Sequence, residues 1–218
     1  MFWQILPHTS ACIAADRIIL LDVRQDRYLL VPPAIAGPVA AWLSSPAACP
    51  APSDLVVMLK RSAIWKPGDP APEQQCCELA IPLTLQTPER RRPISLVQHA
   101  RIDGIIAATW LGLRTTPLRV QLDRHMARNA RSSTLHSDQL SERLSSFQQA
   151  RRLNPISRNC LLDSLALARW LSARRHACRI VFGVAATPFA AHCWLQDDHA
   201  ILNDHYDRVS RFTPIYAS

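Results

Sequence analysis

Three residues in the C-terminal half of the chain have the side chains that nucleophilic cysteine chemistry requires: Cys160, His192 and Asp204. Cys160 begins the run CLLDSLALARWLSARR, in which apolar residues recur at helical spacing. The pattern predicts that Cys160 lies in the first turn of a helix. The unpaired N–H groups and the helix dipole stabilise a thiolate there, and the thiolate is the nucleophilic form of cysteine.

His192 and Asp204 belong to the segment HCWLQDDHAILND, which predicts a hairpin with strands over 192–195 and 200–203. If the turn is centred on Asp198, His192 and Asp204 lie directly opposite each other on one face, with Cβ atoms about 5 Å apart. An aspartate beside a histidine fixes the imidazole tautomer and stabilises the imidazolium. The prediction depends on the register, because a shift of one residue separates the two side chains.

The spacing alone leaves a plainer explanation equally open. Cys160 would then be a buried helix cysteine, and His192 and Asp204 an ordinary cross-strand pair. A metal site would have to combine Cys160, His192, Cys178 and Cys193. Because adjacent strand residues point to opposite faces, His192 and Cys193 cannot both face one ion, and no metal site is predicted.

The N-terminal part of the chain predicts a small antiparallel sheet with helices. Residues 17–31 predict two strands around a polar turn at Arg24–Asp26, because Ile, Leu and Val fill both arms. Ser53 is the expected N-cap of a helix that reaches Trp65.

A proline-rich segment over 66–93 is predicted to be extended chain and linker. The domain boundary is expected near residue 90, within the basic run Glu89–Arg92. The expected domains are therefore residues 1–90 and 91–218.

The second domain begins with helical patterns. Residues 94–130 predict two helices separated near Pro117, and LSERLSSFQQARRL predicts a third that ends at Asn154-Pro155. After the Cys160 helix, residues 178–184 predict a strand and 185–191 a loop that leads to the hairpin. The whole pattern predicts an α+β fold.

Composition excludes several classes of protein. The 218 residues are 48% hydrophobic and 19% charged, which is typical of a globular chain and not of a disordered one. The net charge of +8 is scattered and no nucleic-acid-binding motif accompanies it, so no nucleic-acid partner is predicted.

Cysteine usage and the N-terminus bear on the compartment. Seven cysteines with no C-x-x-C pair argue against a disulfide framework and against a zinc ribbon. The segment MFWQILPHTS lacks the pattern of a signal peptide, and no apolar run approaches the length of about 18 residues that spans a bilayer. We therefore expect a cytoplasmic protein without stable membrane insertion.

The motifs around the three residues resemble a known family. They read C-L-x-x-S-L-A-L at Cys160, G-V-x-x-x-P-F-x-A-H-x-W at His192 and N-D at Asp204. In this combination they resemble the C-terminal domain of the lasso-peptide B protein, the leader peptidase of lasso-peptide biosynthesis, which is related to transglutaminase-like and papain-like cysteine peptidases. The resemblance implies that Cys160 is the nucleophile, His192 the general base and acid, and Asp204 the orienting group. It also implies a catalytic helix packed on an antiparallel sheet.

The first part of the chain more weakly resembles the winged-helix-like precursor-recognition domain of peptide-modifying enzymes, which is similar to the quinone-cofactor chaperone. In that family the leader peptide adds as a strand to the third strand of the sheet and packs against a helix. The resemblance implies that leader binding involves one strand and one helix, at Arg27, Tyr28, Leu29, Leu30, Val31, Leu55, Met58 and Leu59. Plain sheet and core residues are the alternative.

The resemblance also implies partners. They are a lasso precursor peptide and an asparagine synthetase-like cyclase that closes a macrolactam ring with ATP. No phosphate-binding loop G-x-x-x-x-G-K is present, so no cofactor is expected to bind the chain directly, and any ATP dependence is expected in the cyclase. Two rival functions stay open, a transglutaminase-like acyltransferase or amidase and a non-catalytic protein that delivers the precursor. Nucleic-acid binding through the winged-helix-like unit is a third and less favoured alternative. The backbone N–H of Cys160, at a helix N-terminus, is the expected first donor of an oxyanion hole. The candidates for the second donor, by sequence proximity, are Gln148, Gln149, Asn154 and Asn159.

Overall fold

The protein is described by a computed structural model, which covers residues 3–5, 8–44, 53, 56–57, 65–67, 79–85, 93–130 and 136–218. The chain divides into two compact units that interleave along the sequence. The first comprises Met1–Leu79, Gly183–Ala191 and Thr213–Tyr216, and the second comprises Ala80–Phe182, His192–Phe212 and Ala217–Ser218.

The first unit is built on a three-stranded antiparallel sheet in the order β2-β3-β4. Its strands are β2 (Thr9–Ala14), β3 (Arg17–Asp22) and β4 (Arg27–Leu30). The predicted pair of strands around a turn is confirmed, whereas β2 was not predicted. Two short strands, β1 (Trp3–Ile5) and β5 (Trp65–Pro67), pair separately and antiparallel.

One face of this sheet forms the core of the first unit with α1 (Pro33–Ser44). Strand alternation sends every second side chain to this face, and proline at the first helical position starts α1 without losing a hydrogen bond. The buried cluster consists of Ala11, Ile18, Leu20, Val31, Val39 and Leu43. Of the helix predicted from Ser53 to Trp65, Ser53 and residues 56–57 are helical, whereas Trp65 lies in β5 and the prediction is wrong there. The rest of that helix and the predicted boundary at Glu89–Arg92 lie outside the described residues.

The second unit contains four longer helices, each formed where the sequence has helical periodicity. They are α2 (Leu96–Thr115), α3 (Leu118–Asn129), α4 (Ser137–Leu153) and α5 (Cys160–Ser172). Helix α5 is the most buried of them and contacts the other three. Its Arg169 donates hydrogen bonds to Thr109 on α2 and to Gln121 on α3.

A five-stranded sheet has the order β10-β7-β8-β9-β6; four of its strands follow α5 along the chain, and β6 precedes the four longer helices. Its strands are β6 (Thr84–Leu85), β7 (Arg179–Ala186), β8 (Phe189–Gln196), β9 (Ala200–Ile201) and β10 (Thr213–Ala217), with a short helix α6 (Tyr206–Val209) before β10. The α+β fold class is confirmed.

The connection between β7 and β8 differs from the prediction. The loop predicted over 185–191 is wrong, because β7 and β8 extend until only Thr187 and Pro188 connect them. Small alanines fill much of this stretch, and the sequence signal for a strand is weak there although the backbones pair.

None of the described helices is long and apolar enough to cross a bilayer.

Candidate active site

Helix α5 begins at Cys160, as the spacing predicts. The preceding residue, Asn159, has an extended backbone, and its Oδ1 accepts the N–H groups of Leu161 and Leu162 at 2.9 and 3.3 Å. This is the N-cap arrangement that asparagine stabilises. Among the described residues, no acceptor takes the backbone N–H of Cys160 itself. That N–H is therefore available to a bound substrate.

His192 and Asp204 are in direct contact. The Nε2 atom of His192 lies 2.5 Å from Oδ2 of Asp204, and the histidine side chain is 5% exposed. The imidazole also packs against the rings of Phe212 and Trp194, with centroids 5.1 and 6.2 Å away. Because Nε2 is used by Asp204, Nδ1 is the ring nitrogen left for the hydrogen bond with Cys160. The structure thus brings the three predicted residues together.

The predicted register of the hairpin is wrong by one residue. Gln196 pairs with Ile201, and β9 ends there instead of reaching Asn203. The Asp197 carboxylate accepts the N–H groups of His199 and Ala200, which moves the centre of the turn to a point between Asp198 and His199. Asp204 therefore reaches His192 from the chain beyond β9, not from a directly opposed strand position.

The electrostatic state of the site follows from these contacts. The hydrogen bond from His192 is the main cause that lowers the pKa of Cys160; burial opposes it, and the N–H groups of Cys193 and Leu161 assist it. Burial works against the charge on His192, but hydrogen bonds with Asp204 and Cys160 outweigh it and raise the pKa of His192 to about 9. The lowered pKa of Cys160 and the raised pKa of His192 both favour a thiolate–imidazolium pair over the neutral thiol and imidazole.

Asp204 is held as the carboxylate that this pair needs. Burial raises the pKa of Asp204, but the hydrogen bonds from His192 and from the N–H of His205 lower it by more, so the net shift is downward. Arg208 adds a positive charge 3.9 Å away. A charged Asp204 fixes the tautomer of His192 and stabilises its protonated form.

A second cluster of the same residue types behaves differently. His176 and Asp197 are buried with Nε2 and Oδ2 3.2 Å apart, and Cys178 lies near enough for the Asp197 charge to act on it. Burial and that charge raise the pKa of Cys178 to about 12. Its thiol therefore stays protonated. The role of this cluster is structural, because Asp197 accepts the N–H groups of His199 and Ala200 in the hairpin turn.

Selective alkylation is the expected consequence. At pH 6, iodoacetamide should modify Cys160 before Cys178 and Cys193, because the pKa of Cys160 is lowered, whereas burial raises the pKa of Cys178 and of Cys193 and both of those side chains are enclosed. Peptide mapping by mass spectrometry measures the order of labelling. The same reaction in denaturant is the control, in which the preference should vanish. Equal labelling of Cys178 and Cys160 in the folded protein would contradict the assignment.

Sequence reasoning missed a buried polar network behind the three residues. The Ser164 hydroxyl, fully buried on α5, donates to the carbonyl of Cys193 at 3.4 Å and accepts from Nδ2 of Asn203 at 2.9 Å. Oδ1 of Asn203 accepts the N–H of Leu195 at 2.7 Å. The network links α5 to β8 and to the segment just before Asp204. The motif N-D and the serine four residues after Cys160 were the available signals.

Ser164→Ala tests this network. The variant leaves the Cys193 carbonyl and the Asn203 amide without their partner, so we expect kcat to fall about tenfold or more while KM changes little. Ser172→Ala is the matched control, because within the described part of the chain that hydroxyl bonds only inside α5, to the carbonyl of Ala168. Steady-state kinetics of both variants gives the answer. Equal kcat for Ser164→Ala and Ser172→Ala would show that the network does not position the site.

A buried arginine holds the loop that leads into α5. Arg151 is 3% exposed, and its guanidinium donates to the carbonyls of Ile156 and Ser157 and to the carboxylate of Asp163. Asp163 lies in the first turn of α5. The clamp therefore fixes the start of the helix that presents Cys160.

The proposed oxyanion donors are partly engaged elsewhere. Asn154 donates to Asp103 and accepts the N–H of Ile156, and Gln149 donates to Ser145 on its own helix. Asn159 uses its Oδ1 as the helix cap. Among the described residues, no hydrogen bond engages the side chain of Gln148 or Nδ2 of Asn159, so these two groups stay candidates for the second donor beside the N–H of Cys160.

The residues predicted to bind the leader peptide are only partly described. Arg27, Tyr28, Leu29 and Leu30 form β4, and Val31 follows it with its side chain in the core. Leu55, Met58 and Leu59 lie outside the described residues. Among the described residues, no group of three or more His, Cys, Asp or Glu side chains is arranged to hold a metal ion.

Comparison with curated proteins and with solved structures gave no significant match. A family model, described as the transglutaminase-like superfamily, matches residues 104–217, which is more than half of the chain. The matched region includes α5, β8 and the segment that carries Asp204, and the Cys-His-Asp group is typical of enzymes in that superfamily. The chain therefore belongs to the transglutaminase-like superfamily.

Proposed function

We propose that the protein is a cysteine peptidase that removes the leader from a ribosomally made lasso-peptide precursor before a partner cyclase closes the macrolactam ring. The observation that carries the catalytic part is the hydrogen-bonded group of Cys160, His192 and Asp204. The motifs around these residues, which resemble the lasso-peptide B protein, support the choice of substrate.

The proposed reaction is acyl transfer to cysteine followed by hydrolysis. The Cys160 thiolate attacks a leader carbonyl carbon and forms a tetrahedral intermediate, whose oxyanion accepts the N–H of Cys160. Protonated His192 gives its proton to the leaving amine, and the C–N bond breaks to leave a thioester. His192 then takes a proton from water, the hydroxide attacks the thioester, and the leader leaves as a carboxylic acid while the thiolate re-forms.

Strand β4 supports the recognition part of the proposal. It is an edge of the three-stranded sheet in the described part of the chain. Because Val31 donates its N–H to Ile18 on β3, strand alternation turns the N–H and C=O of Leu30 away from β3. An extended peptide could add there by main-chain hydrogen bonds.

An apolar cavity within the first unit lies next to this edge. The exposed side chain of Leu30 and the ring of Tyr28 line it, together with Phe189 at the start of β8. The Tyr28 and Phe189 rings contact each other edge to face, with centroids 5.6 Å apart. A peptide strand beside β4 would alternate its side chains, and those on this face would reach the cavity.

The rate of cleavage should depend on pH as a bell-shaped curve. The acidic limb lies below the ordinary pKa of a cysteine thiol, because the hydrogen bond from His192 lowers the pKa of Cys160 and the thiolate persists until the pH falls through that lowered value. The alkaline limb is expected near 9, where His192 loses the proton that the leaving amine needs. Asp204→Asn should move the alkaline limb to lower pH, since Asp204 raises the pKa of His192. An unchanged limb in that variant would contradict the assignment.

The decisive experiment incubates the full chain with a lasso precursor peptide and identifies the products by mass spectrometry. The expected products are a leader with a free C-terminal acid and a core peptide with a free amine, and Cys160→Ala should form neither. A new amide in the presence of an added primary amine would indicate an acyltransferase instead. Binding of the precursor with no product in the parent protein, in the presence and absence of the cyclase and ATP, would indicate a delivery protein.

A further inference from the structure

A cavity of about 450 Å³ lies in the second unit at the end of α5 away from Cys160. Arginines from three elements converge on it: Arg101 from α2, Arg143 from α4 and Arg174 just after α5. Ten residues of α-helix, from Cys160 to Trp170, span about 15 Å, so the cavity is separate from the thiolate. Its volume falls in the range of about 300–1,000 Å³ that is usual for small-molecule sites.

The cavity has an excess of positive charge. Three guanidinium groups and a single carboxylate, that of Glu142, line it, which gives a net charge of +2. None of the three arginines makes a salt bridge with another described residue. Burial lowers the pKa of Arg143, and the charges of Arg174 and Arg101 lower it further. Mutual repulsion of this kind costs free energy unless an anion offsets it.

The central arginine is held in place. The Arg143 guanidinium lies over the ring of Trp170, 4.1 Å from the centroid, and the indole Nε1 donates to the carbonyl of Arg143 at 3.1 Å. Trp170 is itself buried. An arginine that is fixed on an aromatic ring loses less conformational freedom when it binds a ligand. The neighbouring Ser95 and Gln98 belong to the positive end of the α2 dipole, which adds to the attraction for an anion.

We propose that this cavity binds the polyphosphate group of a small molecule. Guanidinium groups match phosphate oxygens with paired, charge-assisted hydrogen bonds, and three of them favour a ligand with several negative charges over one with a single charge. The site is separate from the peptidase chemistry, and the inference does not depend on the proposed leader cleavage.

Isothermal titration calorimetry of the full chain in chloride buffer tests the proposal, with inorganic phosphate and tripolyphosphate as probes. Tripolyphosphate should bind saturably, about tenfold or more tighter than phosphate, because it engages more guanidinium groups. Arg101→Gln and Arg174→Gln, both at exposed positions, should each weaken tripolyphosphate binding about tenfold. Circular dichroism confirms that the variants are folded.

Arg152→Gln is the matched control. Arg152 is exposed on the same helix as Arg143 and nine residues away, which places it on the opposite face of α4. The control removes the same charge and should leave the affinity for tripolyphosphate unchanged within about twofold. The proposal is overturned by absence of saturable binding, by variants at Arg101 and Arg174 that bind as well as the parent, or by an equal loss in Arg152→Gln. Binding of an acidic peptide to the cavity without any affinity for tripolyphosphate also overturns it.

Discussion

His192→Ala is expected to lower kcat for leader cleavage by at least about a thousandfold, because one side chain supplies both the charge that keeps Cys160 ionised and the proton for the leaving amine. Its hydrogen bond is the main cause that lowers the pKa of Cys160. Loss of the imidazole therefore removes the thiolate as well as the acid. Stopped assays of precursor cleavage, with products quantified by mass spectrometry, measure the effect.

Two further measurements separate this role from a structural one. The pH dependence of Cys160 alkylation should shift upward in His192→Ala, which reports the thiol directly. Asp204→Asn is the graded comparison: it keeps a hydrogen-bonding group beside His192 and should cost less than His192→Ala. If His192→Ala retains more than about a tenth of the parent kcat, His192 is not the acid–base group.

Arg151→Met is expected to lower the free energy of unfolding by about 3–5 kcal/mol, the usual cost of removing one partner from a buried ion pair. Methionine preserves the aliphatic stem but leaves the carbonyls of Ile156 and Ser157 and the carboxylate of Asp163 without their donor. Because about 1.4 kcal/mol is a tenfold change in an equilibrium constant, this is a large effect on the folded population. Chemical denaturation followed by circular dichroism measures it.

The neighbouring residue provides the control for this prediction. Arg152 is exposed, so Arg152→Met should change the free energy of unfolding by about 0.5 kcal/mol or less. Loss of the clamp should also loosen the start of α5, and Arg151→Met should react more slowly at Cys160 with iodoacetamide at pH 6. Comparable stability of the two variants would mean that the buried guanidinium does not hold the loop.

The sequence predicted the features that depend on local patterns. Apolar periodicity placed the start of α5 at Cys160, and the runs of Ile, Leu and Val on either side of a polar turn located β3 and β4, because these signals act over a few residues. The strand β2 escaped prediction, since TSACIA mixes small and polar residues whose strand preference comes from pairing with β3.

Long-range contacts could not be predicted in this way. The hairpin register depended on the Asp197 side chain, which accepts two N–H groups in the turn and shifts its centre by half a residue. The bonds from Ser164 and from Arg151 join residues that are distant along the chain. A single sequence carries no direct record of such contacts, whereas the types of the three reactive residues already restricted the chemistry.

The short length of β9 limits which insertions and deletions the site can tolerate. On the edge of β8 that faces β9, the carbonyl of Leu195 accepts the N–H of Leu202, and the N–H of Leu195 donates to Oδ1 of Asn203. Two residues earlier, the carbonyl of Cys193 instead accepts the hydroxyl of Ser164 on α5. If β9 were two residues longer, it would compete with Ser164 for the hydrogen bond to the Cys193 carbonyl. Cys160 and Ser164 of α5 thus bond the N–H and the carbonyl of Cys193, which a longer β9 would otherwise pair. Because a change in the length of the turn before β9 would alter this pairing, we expect that turn to tolerate neither insertion nor deletion.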